Sequence, residues 1–467
     1  MKFKKKIALG LAALMMMGAL VGCSGTQTAQ NGKQADGKVS ITIADWPDET
    51  DPNGKEINEG YLKQMNEKYP DINIITDTTV YADAQVFQMK AAANQLPTMY
   101  NSHFTEIKQT AKSGYAADLT DVMKKNGILD ALNPALLDVI KGDDGKIYAY
   151  PINAYLQGLT VNKKLFTEAG LVNEDGSIKL PSTYEEMAEY AKIIKDKTGV
   201  AGYAISTTEN YGGWHFMNIA WSYGVNFMEQ MEDGKWKATF NSPECVQALQ
   251  FIKDLKWKYD VLPQETVINQ TDLHKMFASN RVAMIIETPS SDYSQKYGMS
   301  IDDIVVAKMP GGPAGRYVQM GGSIKMFDPK ATPEQLDASM KWLALTGYSP
   351  EFGEEEIENT KKSLQNTVEQ KGLVLPQSAL PLWTNPERIA KEAEVRADYV
   401  NVDPANYADY FDLSGITIRP EEPVDCQQLY AVLDGCIQEV ITNKDADCEA
   451  LIAKACSDFQ VNHLDKH

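Results

Sequence analysis

Apolar and polar positions alternate along "VSITIADW" (39–46), the period of a half-buried strand, and that strand ends in a tryptophan. The period then changes. In "EINEGYLKQMNEKYP" (56–70), Ile57, Tyr61, Met65 and Tyr69 fall on one helical stripe. "DINIITDTTV" (71–80) returns to a strand pattern, and "DAQVFQMKAAANQ" (83–95) is a second helix closed by Leu96-Pro97. Strand, helix, strand, helix at these lengths predicts a βαβ unit and a parallel sheet. Two more strand-like runs lie in "GKIYAYPINAYLQGLTVNKKLF" (145–166). "STYEEMAEYAKIIKDKTG" (182–199) is a helix with its own ends: Ser182 or Thr183 to cap it, glutamates in the first turn, and Gly199 after the lysines. A capped amphipathic helix at 241–263 and a short buried strand, "RVAMIIET" (281–288), follow. The stretch 352–389 is broken by charge and proline and reads as irregular, and 422–459 reads as two helices joined by an acidic turn. The fold class is α/β.

The N-terminus has a different pattern. Four lysines among residues 2–6 precede an apolar run from Ile7 to Val21, which is a secretory signal too short to span a bilayer comfortably. Leu20-Val21-Gly22-Cys23 resembles the lipobox of bacterial lipoproteins, which implies cleavage after residue 22 and a lipid on Cys23. Residues 23–37 are polar without periodicity and read as a flexible tether. Removing the four lysines of 1–22 takes the net charge from −19 to −23. An acidic chain with no later basic run does not suit nucleic acid. No later stretch of 18 apolar residues exists, so a membrane would be met through the lipid anchor alone. About 430 folded residues suggest two domains. Besides Cys23, five cysteines remain (245, 426, 436, 448 and 456). Their spacings lack a CxxC-type pair, which argues against zinc; a disulfide among them is open in an exported chain, and buried or loosely paired thiols without a catalytic role are expected. "ETDPNG" (49–54) resembles the start of a calcium loop, but Gly60 stands where the closing glutamate belongs, so no metal site is expected.

Five segments in order resemble landmarks of extracellular solute-binding proteins of the maltose-binding type. They are "GKIYAYPINAYLQGLTVNKKLFTEAGL", "PSTYEEMAEYAKIIKD", "NSPECVQALQFIKDL", "MFASNRVAMII" and "MPGGPAGRYVQMGGSIKMF". The resemblance covers most of the chain from about residue 38. It implies a two-lobe, type II periplasmic-binding-protein-like fold, with one lobe at 38–152 plus 301–328 and the other at 153–300 plus 329–467. The ligand would lie in the cleft between them and be buried by hinge closure. The implied function is a monomeric, non-enzymatic, cofactor-free receptor, lipid-anchored on the outer face of the cell membrane of a Gram-positive cell. It would deliver an oligosaccharide to an ABC permease driven by a separate ATPase chain.

A neutral sugar is held by aromatic faces and by polar side chains that replace water at its hydroxyls. On that basis Trp46, with Asp48 and Glu49 beside it, is a candidate first-lobe wall. Asn101 and His103 in "YNSHF" stand where the maltose-type pattern has an acidic–basic pair, a departure that weakens transfer of maltose specificity. Asn153 and Tyr155 fall at the first crossover. Glu209, Tyr211 and Trp214 match a family loop facing the sugar, with Gly212-Gly213 leaving backbone free to approach it. Glu287, followed by Thr288, ends a strand. Gly321 and Gly322 suit close approach or hinge freedom at the second crossover, and Trp383 is a candidate lid. Near the C-terminus only Tyr430 survives of an aromatic–arginine group. Two alternatives stand beside this reading: the same fold binding a polyamine through Asp48, Glu49, Glu209 and Glu287 or another non-sugar solute, or a secreted glycoside hydrolase with two carboxylates about 5–10 Å apart.

Overall fold

The computed structural model describes residues 37–466. Cys23, the leader and nearly all of the expected tether lie outside the described residues. Eleven strands fall at β1 (Val39–Ile43), β2 (Ile72–Thr76), β3 (Met99–His103), β4 (Tyr150–Leu156), β5 (Gly158–Asn162), β6 (Met228–Gln230), β7 (Trp236–Ala238), β8 (Met284–Glu287), β9 (Ile304–Ala307), β10 (Tyr317–Phe327) and β11 (Thr417–Pro420).

The alternation at 39–46 makes β1, which pairs in parallel with β2 and β3 as the βαβ reading requires. The first sheet runs β2-β1-β3-β10-β11, and β4 also pairs with β10. The second sheet is β8-β5-β9, all antiparallel. Single parallel bridges from Ala201 and Ala204 extend it beside β8. β4 and β5 are therefore consecutive strands of different lobes, separated by Gln157 alone. β9 is hydrogen-bonded in the second sheet, and the chain returns to the first only at β10. Residues 304–307, expected with the first lobe, thus lie in the other sheet. The helix Pro333–Leu345, expected with the second lobe, packs against β1. β11 belongs to the first sheet and leads into the helix Cys426–Thr442, which packs on the helices Tyr211–Tyr223 and Pro243–Trp257. The chain passes between the lobes at β4–β5, at β9–β10 and after β11, and residues 404–412, between β10 and β11, also pack on β9 of the second sheet.

Local sequence explains the helices that build the second lobe. Thr183 accepts from the Glu186 N–H at 3.1 Å, and Gly199 closes that helix in the left-handed conformation at φ 74°. Ser242 caps the next helix by accepting from the Cys245 N–H. The expected stripe 57/61/65/69 is buried only in part: Met65 is fully buried, whereas Ile57 is exposed at the first turns. The stretch read as irregular contains the helix Glu354–Glu369 and the start of Pro386–Ala397, which share a small core of Phe352, Leu364, Val374 and Val395. All five described cysteines are buried and unpaired, so the disulfide that the sequence left open is not formed among them. Among the described residues no helix is long and apolar enough to cross a membrane.

Buried amides tie the passages together. Asn218 Nδ2 donates to Gln157 Oε1, the Gln319 N–H donates to Asn218 Oδ1 at 2.8 Å, and Gln319 Nε2 donates to the Tyr430 hydroxyl at 2.6 Å. All four side chains are essentially inaccessible. The chain is satisfied only in part, because Gln157 Nε2 and Gln319 Oε1 are buried without a hydrogen-bond partner among the described residues, so it fixes the passages' geometry more than it adds stability.

Candidate functional site

Strand ends from both lobes converge on a cavity of about 330 Å³, at the small end of the range for ligand pockets. β3 supplies His103, β4 Tyr155 and β10 Gly322. The start of the Tyr211–Tyr223 helix brings Glu209, Asn210, Tyr211 and Trp214. Gln270 begins the helix Gln270–Ala278, Glu287 ends β8, and Thr288 follows it. Glu421 lies just past β11, with Gln427 and Tyr430 in the first turns of the Cys426–Thr442 helix. A larger depression of about 720 Å³ opens at the β6–β7 hairpin. Its central amide, Gln460, is already engaged by the Ala238 N–H, the Trp236 carbonyl and Asp465, so it offers less to a ligand.

Tyr155, Trp214 and Tyr211 form one aromatic wall. The Tyr155–Trp214 centroids lie 6.2 Å apart and the Trp214–Tyr211 centroids 5.9 Å apart, both edge to face. The turn that carries the wall is strained, because Glu209 (φ 60°) and Asn210 (φ 72°) are consecutive left-handed non-glycine residues. Asp434 holds it, accepting from the Asn210 N–H at 2.8 Å and the Gly213 N–H at 2.7 Å. The two glycines serve this packing and not a ligand. A Cβ on Gly212 would lie 2.6 Å from Asp434 Oδ1, and one on Gly213 would lie 2.4 Å from the Tyr430 backbone. The expected loop at 209–216 is therefore largely a helix start.

Glu287 is a buried carboxylate with its acceptors occupied. Oε1 accepts from the Thr288 N–H at 2.9 Å. Oε2 lies 3.0 Å from Gln270 Nε2 and 3.1 Å from His274 Nε2, with His215 Nε2 at 3.6 Å. Burial opposes its charge, but His215 and His274 outweigh burial and hold the carboxyl well below the usual range. Glu287 thus fixes Gln270 and Thr288 in the lining. Glu421 has the opposite environment: burial, with Glu106 nearby, pushes its carboxyl up to about 7 although Tyr430 donates to it. His103 is exposed at the mouth of the cavity, and desolvation by the surrounding cleft lowers its imidazole, which favours the neutral form. The lining contains no lysine or arginine.

Of the sequence candidates, His103, Tyr155, Glu209, Tyr211, Trp214, Glu287 and Gly322 line the cavity. The others do not. Trp46 is 8% exposed and packs on Trp342, with centroids 5.7 Å apart, in the first-lobe core. Asp48 accepts from the Thr50 N–H and hydroxyl in an exposed turn, and Glu49 pairs with Lys55. Asn101 lies in β3 with its N–H donating to Asp45 at 2.8 Å. Asn153 Oδ1 accepts from the Ser323 N–H at 2.8 Å, which locks β4 to β10. Gly321 admits the Tyr155 ring, since a Cβ would lie 2.5 Å from its hydroxyl oxygen. Trp383 is buried with the Arg388 guanidinium 5.6 Å from its ring centroid, so it is no lid. Asn210, Gln270, Glu421 and Gln427 were not singled out by sequence. The Asn269 cap before Gln270, following a helix-start pattern, and the proline-flanked "RPEEP" around Glu421 were the available signals.

Residues 47–347 match the profile of the bacterial extracellular solute-binding proteins. The chain belongs to this family. The solute-binding protein is similar to a binding protein of Brucella abortus, 22% identical over 328 residues, 68% of this chain and 75% of that one. It is also similar to the multiple sugar-binding protein of Streptococcus mutans, 25% identical over 224 residues, 47% and 48% of the two chains. Its fold matches that of an ABC substrate-binding protein from Listeria monocytogenes solved in complex with cycloalternan. The TM-score is 0.66 at 19% identity, over 91% of this chain and 99% of that one. The two-lobe type II architecture inferred from sequence is thus shown.

Proposed function

We propose that this solute-binding protein is the receptor of an ABC importer. It captures a neutral oligosaccharide in the cleft, closes about the three passages, and hands the ligand intact to a membrane permease powered by a separate ATPase chain. A lipid on Cys23 would hold the monomeric receptor at the outer face of the membrane. The observation that carries this reading is the Tyr155–Trp214–Tyr211 wall facing amide, hydroxyl and carboxyl groups in a lining without lysine or arginine. Aromatic faces suit the C–H face of a pyranose, and mixed donors and acceptors suit its hydroxyls. A lining without lysine or arginine does not favour an anionic ligand. The sugar-binding relative from Streptococcus mutans and the cycloalternan complex point the same way. Glu287, saturated by its own partners, is poorly placed to act as a nucleophile or base, which supports binding without catalysis. Closure is a population shift set by how much more tightly the closed form holds its ligand.

Calorimetric titration against a panel of oligosaccharides, with spermidine as control, tests the proposal. Saturable binding of a glycan that chromatography then recovers intact is the expected result. Heat from spermidine alone would recast the carboxylates as a polyamine site, and a shortened glycan would reveal a hydrolase.

A further inference from the structure

Glu421 stands where the chain leaves β11 for the second lobe, and its carboxyl faces the cavity. Oε1 accepts from the Tyr430 hydroxyl at 2.8 Å, and that hydroxyl is itself fixed by Gln319 Nε2 at 2.6 Å. Tyr430 and Gln319 are fully buried, so the carboxyl is held in one orientation from behind. Oε2 has no hydrogen-bond partner among the described residues, and no lysine or arginine there pairs with Glu421. The titratable groups around it bring no cation. Glu106, at the end of the turn Phe104–Glu106, is the charged group of the first lobe that acts on it, and Asp425 in turn acts on Glu106. Tyr155 on β4 and Cys426 and Tyr430 on the following helix are kept in their neutral forms by burial. His103 shares the cavity, with desolvation favouring its neutral form.

We propose that Glu421 is a specificity-determining residue that meets the ligand as the neutral acid, its O–H donating to a sugar oxygen, so that capture of the ligand is linked to a proton. The inference rests on the oligosaccharide reading of the cavity. A neutral acid can donate where a carboxylate can only accept, and here the structure supplies Glu106 and no cation to stabilise the charged form. The sign follows. With the carboxyl pushed up to about 7, affinity is level in acid and falls above neutrality by at most tenfold per pH unit, about 30-fold between pH 6 and pH 8.5.

The test is calorimetric titration of the full chain with maltotriose, raffinose and cellotriose from pH 6 to pH 8.5. Glu421→Gln keeps a donor at the same place and should retain acid-range affinity without the alkaline decline. Glu421→Ala should lose at least tenfold in acid. Glu106→Gln removes the nearby charge and should move the decline to lower pH. A flat or rising profile in the native protein, or a decline that survives Glu421→Gln, overturns the proposal while leaving the oligosaccharide reading intact. No binding of any of the three at any pH, in protein that melts cooperatively, counts against that reading and takes the proposal with it.

Discussion

Asp434→Ala removes the group that holds the strained start of the Tyr211–Tyr223 helix. Asp434 is 7% exposed, and its carboxylate receives the N–H groups of Asn210 and Gly213 at 2.8 and 2.7 Å. Losing a helix cap costs about 1–2 kcal/mol, and each buried donor left unsatisfied costs about 1–3 kcal/mol. Part of this is offset, because Asp434 is itself desolvated by burial, which raises its carboxyl above the ordinary range. A net loss of about 2–4 kcal/mol in urea unfolding, followed by tryptophan fluorescence, is expected. Asp434→Asn keeps one neutral acceptor and should lose about half as much. The site should respond as well, because Tyr211 and Trp214 ride on this turn. A turn ordered about one-tenth of the time would weaken affinity about tenfold. If Asp434→Ala stays within about 0.5 kcal/mol of the native protein with unchanged affinity, the assignment of Asp434 as the clamp of this turn is wrong.

Trp214→Ala should weaken glycan binding at least tenfold, about 1.4 kcal/mol, in calorimetry; unchanged affinity in a folded variant would return Trp214 to a core role. Gly213→Ala places a methyl against the Tyr430 backbone and should cost about 1–3 kcal/mol by overpacking, read as a lower melting temperature. Glu287 is held below the ordinary glutamate value, so its stabilisation is complete above about pH 4.3 and is lost as pH falls through its folded value. Acid unfolding should therefore be shallower in Glu287→Gln; parallel acid limbs would sink that account.

Period and caps made much of the fold legible. The Thr183–Gly199 and Ser242 signals lie at real helix ends, and the alternation at 39–46 is the central parallel strand. The helix Glu354–Glu369 escaped because its apolar stripe is thin, Ile357, Leu364 and Val368 among many charges, with only Leu364 buried. The strand Ile304–Ala307 is apolar on both sides, and such a run does not state which sheet it joins. At the site, an aromatic residue after a strand was a useful guide for Tyr155 and a misleading one for Trp46. Both have the same local chemistry, and only the neighbour Trp342, nearly 300 residues away, decides that Trp46 faces inward. Gln427 is a neutral amide without local pattern, and the Asn269 cap marks a helix start at Gln270 but not that its amide faces a cleft. Glu421 gains its character from Glu106 and Tyr430, which sequence separation hides.

The five buried thiols bear on how lobe closure can be watched. Burial raises the Cys245, Cys426, Cys436, Cys448 and Cys456 thiols above their ordinary range, so none of them presents a ready thiolate to solvent. Maleimide dyes should therefore pass over the folded lobes and react first with a cysteine placed on purpose. One engineered at Met89 and one at Val461, both well exposed and on different lobes, would make a donor–acceptor pair without stripping any native sulfur from the interior.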